Sequence, residues 1–238
     1  MSRGMANSVG RSETAPIVFD VRRSDLSIQV NFRSHFWSLF HNIPNLYSAL
    51  LRGLGEFGVT PSTIKSDVAD GSLGAYNVNF WMFGFRALVR IRLEQVEIQF
   101  NNITQSDVEQ MERAFVRLLE ALAASNAEFA LSSYAVDIGL HGELSGVESK
   151  DYLATFVARS PRLPGPYIGS GVVFYFGEDG AATLRTVTAD LSGLLPGKLY
   201  VRVYCVYKET LDPKGLRAAV EEQMTAAFSS IGLRRETA

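Results

Sequence analysis

Residues 75–100 read AYNVNFWMFGFRALVRIRLEQVEIQF, and the phase of their hydrophobic alternation decides the fold class. Tyr76, Val78, Phe80 and Met82 share one parity. After Gly84 the apolar positions become Phe85, Ala87, Val89, Ile91 and Leu93, and after Glu94-Gln95 they become Val96, Ile98 and Phe100. A period of two marks half-buried strands. A slip of one residue would send every side chain to the wrong face, so each change of phase requires a bulge or a turn. The stretch therefore reads as a bent run of antiparallel strands, broken at Gly84 and at Glu94-Gln95.

A helix follows. Thr104 is a good N-cap, Asp107 suits the positive end of the helix dipole, and Val108, Met111, Phe115, Leu118, Leu119 and Leu122 fall on one stripe. The same order recurs downstream. Strands are expected at 172–176, 183–191 and 199–207, then a helix with Asp212 as N-cap, Pro213 in its first turn and a stripe of Leu216, Val220, Met224, Ala227, Phe228 and Ile231.

Working outward, Leu26, Ile28, Val30 and Phe32 alternate as a strand. Leu46, Leu50, Leu51 and Leu54 make a third helical stripe behind Pro44. Residues 61–74 read as a loop containing the turn pair Asp70-Gly71. Residues 129–144 return to strand, with Tyr134, Val136, Ile138 and Leu140 in phase, and 152–157 read as a further strand. Residues 159–171 hold three prolines and three glycines and form a surface loop, a candidate lid.

The expected fold is α+β: a curved antiparallel sheet packed on about three long amphipathic helices, with a pseudo-repeat of meander plus helix. The expected organisation is a disordered tail at 1–15, a single domain at 16–233 with halves at 26–125 and 128–233, and a tail at 234–238. In general outline the pattern resembles TATA-binding-protein-like and helix-grip folds, a resemblance of fold that carries no function.

Composition narrows the function classes. With 47% hydrophobic and 20% charged residues the 238-residue chain is an ordinary globular one, and a net charge of −2 supplies no general attraction to nucleic acid or anionic membranes. Eighteen arginines against five lysines are read as a genomic bias rather than as phosphate recognition. One cysteine, Cys205, forms no intrachain disulfide and alternates with core residues, which fits a reducing, cytoplasmic setting of bacterial type. No stretch is long and apolar enough to span a membrane, and 1–15 has no signal-peptide character.

Candidate sites come from parity and density. Asp137, His141 and Glu143 share a strand face beside Gly139, where a carboxylate near an imidazole could do acid/base work; a solvated outer strand face is the simpler explanation of them. Arg86, Arg90 and Arg92 share a parity, and Arg185 and Arg202, flanked by Tyr200 and Tyr204, would extend an anion-binding stripe if their strands lie nearby. Trp37, Trp81 and Phe83 belong to a dense aromatic group that is either core or interface. His35 and His41 lack metal-ligand spacing, so no metal or other cofactor is expected. Three functions remain: a non-enzymatic binding or assembly module with a protein partner or a second copy; a cofactor-free enzyme using Asp137, His141 and Glu143 under the 159–171 loop; and a carrier of an apolar ligand in a cavity between sheet and helices.

Overall fold

The computed structural model describes residues 15–68, 76–157, 170–177, 183–208 and 212–236. The tail at 1–15 except Ala15, the Asp70-Gly71 turn and most of the 159–171 loop lie outside them.

The chain is mixed helix and sheet. Its strands are β1 (Ile17–Phe32), β2 (Ile64–Val68), β3 (Tyr76–Met82), β4 (Ala87–Ile91), β5 (Gln95–Phe100), β6 (Leu131–Leu144), β7 (Val172–Phe176), β8 (Thr183–Leu191), β9 (Leu199–Tyr207) and β10 (Leu233–Glu236). Its helices are α1 (Ser38–His41), α2 (Ile43–Leu54), α3 (Val108–Ser125), α4 (Ser149–Ala154) and α5 (Leu216–Ser230). The strands form one open sheet in the order β2-β3-β4-β5-β1-β6-β9-β8-β7, antiparallel between neighbours, with β10 joining β1 in parallel.

The two phase changes in 75–100 are turns. Between Met82 and Ala87 the chain takes positive φ at three successive residues, Phe83 (53°), Gly84 (61°) and Phe85 (72°), a conformation that only glycine adopts without strain. Phe83 is pinned by its N–H to Phe57 O at 2.9 Å, and Asn101 N–H donates to Arg86 O at 3.0 Å on the far side.

Four sequence expectations are corrected. The strand expected from Leu26 begins at Ile17, because a register shift between Val21 and Arg23 inverts the parity and hides the first half from a period-two reading. Residues 64–68, read as loop, are strand β2. Residues 152–157, read as strand, carry helix α4 and its last turn: Tyr152 and Phe156 lie one turn apart and stack edge to face at 5.2 Å, and the Tyr152 hydroxyl donates to Ile231 O at 2.7 Å. Residues 233–236, mostly assigned to the tail, are strand β10.

One face of the sheet carries the core. Ile28, Val30, Val78, Phe80, Val89 and Ile98 point to it and are buried, as are Leu50 of α2, Phe115 of α3 and Phe228 of α5. The opposite face is polar: Ser27, Gln29 and Asn31 of β1 lie beside Gln99, Glu97 and Gln95 of β5. The N-caps are as the sequence predicts. Thr104 N–H and hydroxyl both donate to the Asp107 carboxylate, at 2.9 and 2.7 Å, and Asp212 accepts from Lys214 N–H at 3.1 Å.

The tightest point is the β1–β6 pair. A Cβ on Gly142 would lie 2.2 Å from Asp20 O and 2.9 Å from the Phe19 ring. Gly142→Ala must separate the two strands, so it is expected to lower unfolding free energy by about 3 kcal/mol. Urea denaturation checks this; an unchanged midpoint would contradict the packing described.

Candidate ligand cavity

β1 gives one whole edge to β6, with partners from Phe19↔Leu144 to Phe32↔Leu131. Its other edge is divided. β10 occupies Ile17–Asp20 and β5 occupies Leu26–Asn31. Ser24 is tied to Ile103, its carbonyl accepting from Ile103 N–H at 2.7 Å and its hydroxyl donating to Ile103 O at 2.8 Å. Between Asp20 and Ser24 no strand among the described residues covers the edge, and the bulge at Arg22 sits in that gap.

Behind the gap lies a cavity of about 550 Å³ between the sheet and helices α3 and α5. Its floor is Leu26, Ile28, Val136, Ile138 and Leu140. Its walls include Val108, Met111 and Phe115 from α3 and Leu216 and Val220 from α5. Leu26 faces Ile138 across the central ladder, yet both remain partly exposed. That is unusual for aliphatic side chains in the middle of a sheet beneath two helices, and it marks volume that no side chain among the described residues fills.

The rim is polar and internally paired. Glu112 of α3 meets Arg217 of α5 at 3.4 Å, joining the two walls. Arg235 of β10 meets Glu221 of α5 at 2.6 Å. Arg22 and Arg23 border the gap but pair on the outer face, Arg22 with Asp20 at 2.7 Å and Glu143 at 3.7 Å, Arg23 with Asp25 at 3.1 Å. Thr104, Gln105 and Ser106 close the side next to β5.

The residues singled out in the sequence lie elsewhere. Asp137, His141 and Glu143 share the outer face, as their parity requires, but each has its own partner. Asp137 takes a forked pair of bonds from Arg202 at 2.8 and 2.6 Å. Glu143 meets Lys198 at 2.9 Å, and that contact lowers its pKa. His141 is buried, stacks on Tyr200 with ring centroids 4.7 Å apart, and shares a 2.8 Å hydrogen bond with the Ser192 hydroxyl. Ser192 Oγ also accepts Leu195 N–H at 2.8 Å. The space beside Gly139 is filled by the Tyr200 ring. The three residues do not converge on a hollow, and the cavity opens on the opposite face.

The arginine stripe is also dispersed. Arg86 sits in the β3–β4 turn and forks onto Asp107 at 3.1 and 2.6 Å. Arg90 faces Glu97 at 3.4 Å, and Arg92 lies at the end of β4 next to the turn that leads to Gln95. Arg202, 5.8 Å from the centre of the Tyr204 ring, is four strand positions from Arg90, about 19 Å at the usual spacing. Arg185 points to the helix side, where it bonds Gln223 of α5 at 3.0 Å and lies over Phe176. Among the aromatics, Phe83 packs inward on Phe57 and Phe100. Trp81 lies on the outer face beside Phe85, which is 68% exposed, and Trp37 is exposed next to His35. Cys205 is buried, and burial pushes its thiol pKa up to about 11, so it is a core side chain. Among the described residues no group of histidine, cysteine and carboxylate side chains could hold a metal ion, and no helix is long and apolar enough to cross a membrane.

No protein-family model matches this sequence, and no curated protein matches it. The cavity is therefore interpreted from its own geometry.

Two titrations follow from the site's surroundings. Burial lowers the pKa of His141, with Arg23 adding to the effect and Asp25 opposing it. The unfolded chain then takes up the proton first, so stability is full above about pH 6.5 and falls as the pH drops toward the folded value. His141→Gln is expected to flatten the pH dependence of the thermal midpoint between pH 7 and 5; an undiminished slope would contradict this. Asp107 is held well below the usual carboxylate range by the Arg86 guanidinium, with Thr104 assisting. Its contribution is present above about pH 4 and is lost as the pH falls below that. Asp107→Asn is expected to cost about 1 kcal/mol at pH 7, and less at pH 2.5, by urea denaturation at the two pH values.

Proposed function

We propose that the protein is a non-enzymatic binding module whose cargo is a small, largely apolar molecule held in the cavity between β1, β6, α3 and α5. The observation that carries this reading is the volume of about 550 Å³ over the partly exposed pair Leu26 and Ile138. It falls within the range of small-molecule pockets, roughly 300–1,000 Å³. A cavity with aliphatic and aromatic lining holds water poorly, because water there finds few hydrogen-bond partners. An apolar guest would remove that lining from solvent and gain dispersion contacts with it.

The position of the cavity fits a duplicated architecture. β1, α2, the β3-β4-β5 meander and α3 correspond in order to β6, α4, the β7-β8-β9 meander and α5. The strand order, β3-β4-β5-β1 against β7-β8-β9-β6, is mirrored about the β1–β6 ladder. In this reading α3 and α5 are counterparts, and the ligand lies between them next to the internal axis. The three helices of a dozen or more residues, α2, α3 and α5, then grip the sheet from one side.

Nile red, an uncharged dye that brightens in apolar surroundings, tests the reading. The native chain is expected to bind one dye per molecule with a blue shift. Val220→Trp and Ile138→Trp, each of which fills the cavity from a different wall, are expected to weaken binding at least tenfold. No binding, or binding unaffected by both substitutions, would contradict the proposal.

A further inference from the structure

Building on the cavity reading, we infer that the ligand's polar end is uncharged: the cavity takes a neutral amphiphile, such as a long-chain alcohol or another apolar body with a hydroxyl or carbonyl group, in preference to a fatty acid or an alkylammonium ion. The inference comes from how the rim distributes its charge.

A fatty-acid site needs a cation free to receive the carboxylate, because stripping water from a carboxylate is costly unless a partner replaces it. Two guanidinium groups stand at this rim, and each already has a carboxylate: Arg217 has Glu112 and Arg235 has Glu221. An incoming carboxylate would have to displace one of these partners and leave it unpaired beside the ligand. It would also meet Glu236, a further lining carboxylate with no ion pair among the described residues. Glu236 in turn is a weak anchor for a cation, since it is exposed and therefore hydrated and screened by salt.

The rim does offer neutral partners. Ser24, Thr104, Gln105 and Ser106 line it, and a hydroxyl or carbonyl can share their hydrogen bonds without disturbing an ion pair. Glu112–Arg217 ties α3 to α5 across the entrance, so breaking it for an anion would also release that tie. The apolar floor and the closed rim therefore select the same ligand: large, apolar and neutral at its polar end.

Three probes with the same twelve-carbon chain separate the possibilities: dodecan-1-ol, dodecanoate and dodecyltrimethylammonium, each titrated calorimetrically into the full chain at pH 7.5 below its micelle concentration. Dodecanol is expected to bind at least tenfold more tightly than either ion. Because an alcohol also leaves water more readily, a variant isolates the role of the rim. Glu112→Gln with Glu221→Gln frees Arg217 and Arg235, and it is expected to raise the affinity of dodecanoate relative to dodecanol about tenfold. These carboxylates are partly exposed in surface pairs, whose loss has little effect on folding. Dodecanoate or the ammonium ion binding as tightly as dodecanol to the native chain, or a ratio unmoved in the variant, would overturn the inference while leaving the cavity reading intact. Failure of all three probes to bind would overturn both.

Discussion

The structure depends on how strand β1 is shared. Its sixteen residues pair with β6 along one edge, and the other edge serves two strands that run in opposite directions: β5 antiparallel on the second half, β10 parallel on the first. Two such strands cannot meet end to end without a break, and the break falls at Val21–Arg23. The bulge at Arg22 fits the same requirement, since it lets Phe19 and Ile28, of opposite parity, both face the core. The gap in the ladder, the inversion of phase and the cavity behind them are one feature seen at three scales.

The two faces of the sheet differ in chemistry. The helix side is apolar, and the cavity between β1, β6, α3 and α5 has an aliphatic floor and walls with charges at its rim. The outer face is a mosaic of amides, hydroxyls and paired charges. Asp137 with Arg202, Glu143 with Lys198 and Arg90 with Glu97 neutralise one another across adjacent strands. Exposed pairs of this kind add little stability.

Much of the fold was legible in the sequence, because hydrophobic phase reports directly on which face is buried. The turns at Gly84 and Glu94-Gln95, the caps at Thr104 and Asp212 and the buried stripe of α3 follow from local chemistry. The misses have specific causes. The first half of β1 was hidden by the parity change at Arg22, and α4 was hidden because Tyr152, Leu153 and Phe156 suit either a strand or one turn of helix. β2 was missed because Ile64–Val68 holds only two apolar residues around a polar run, as an edge strand can. A cavity between sheet and helices was one of three sequence expectations, but its lining was not legible. Leu26, Ile138, Met111 and Val220 look like core positions in any window, and only the spacing between elements far apart in sequence leaves them unfilled. The residues that did stand out, His141, Asp137 and the arginines, are conspicuous because they are polar on strands, and their partners explain them.

The central claim is that the space over Leu26 and Ile138 is a ligand site. Methyl carbon–proton spectra of isoleucine-, leucine- and valine-labelled protein, recorded with increasing dodecanol, test it most directly. The account predicts saturable shifts at Leu26, Ile28, Ile138, Leu140, Leu216 and Val220, with little change at Leu88, Leu184 and Val206 on the outer face. Shifts confined to the outer face, or no saturable shift at the six cavity residues, would contradict it.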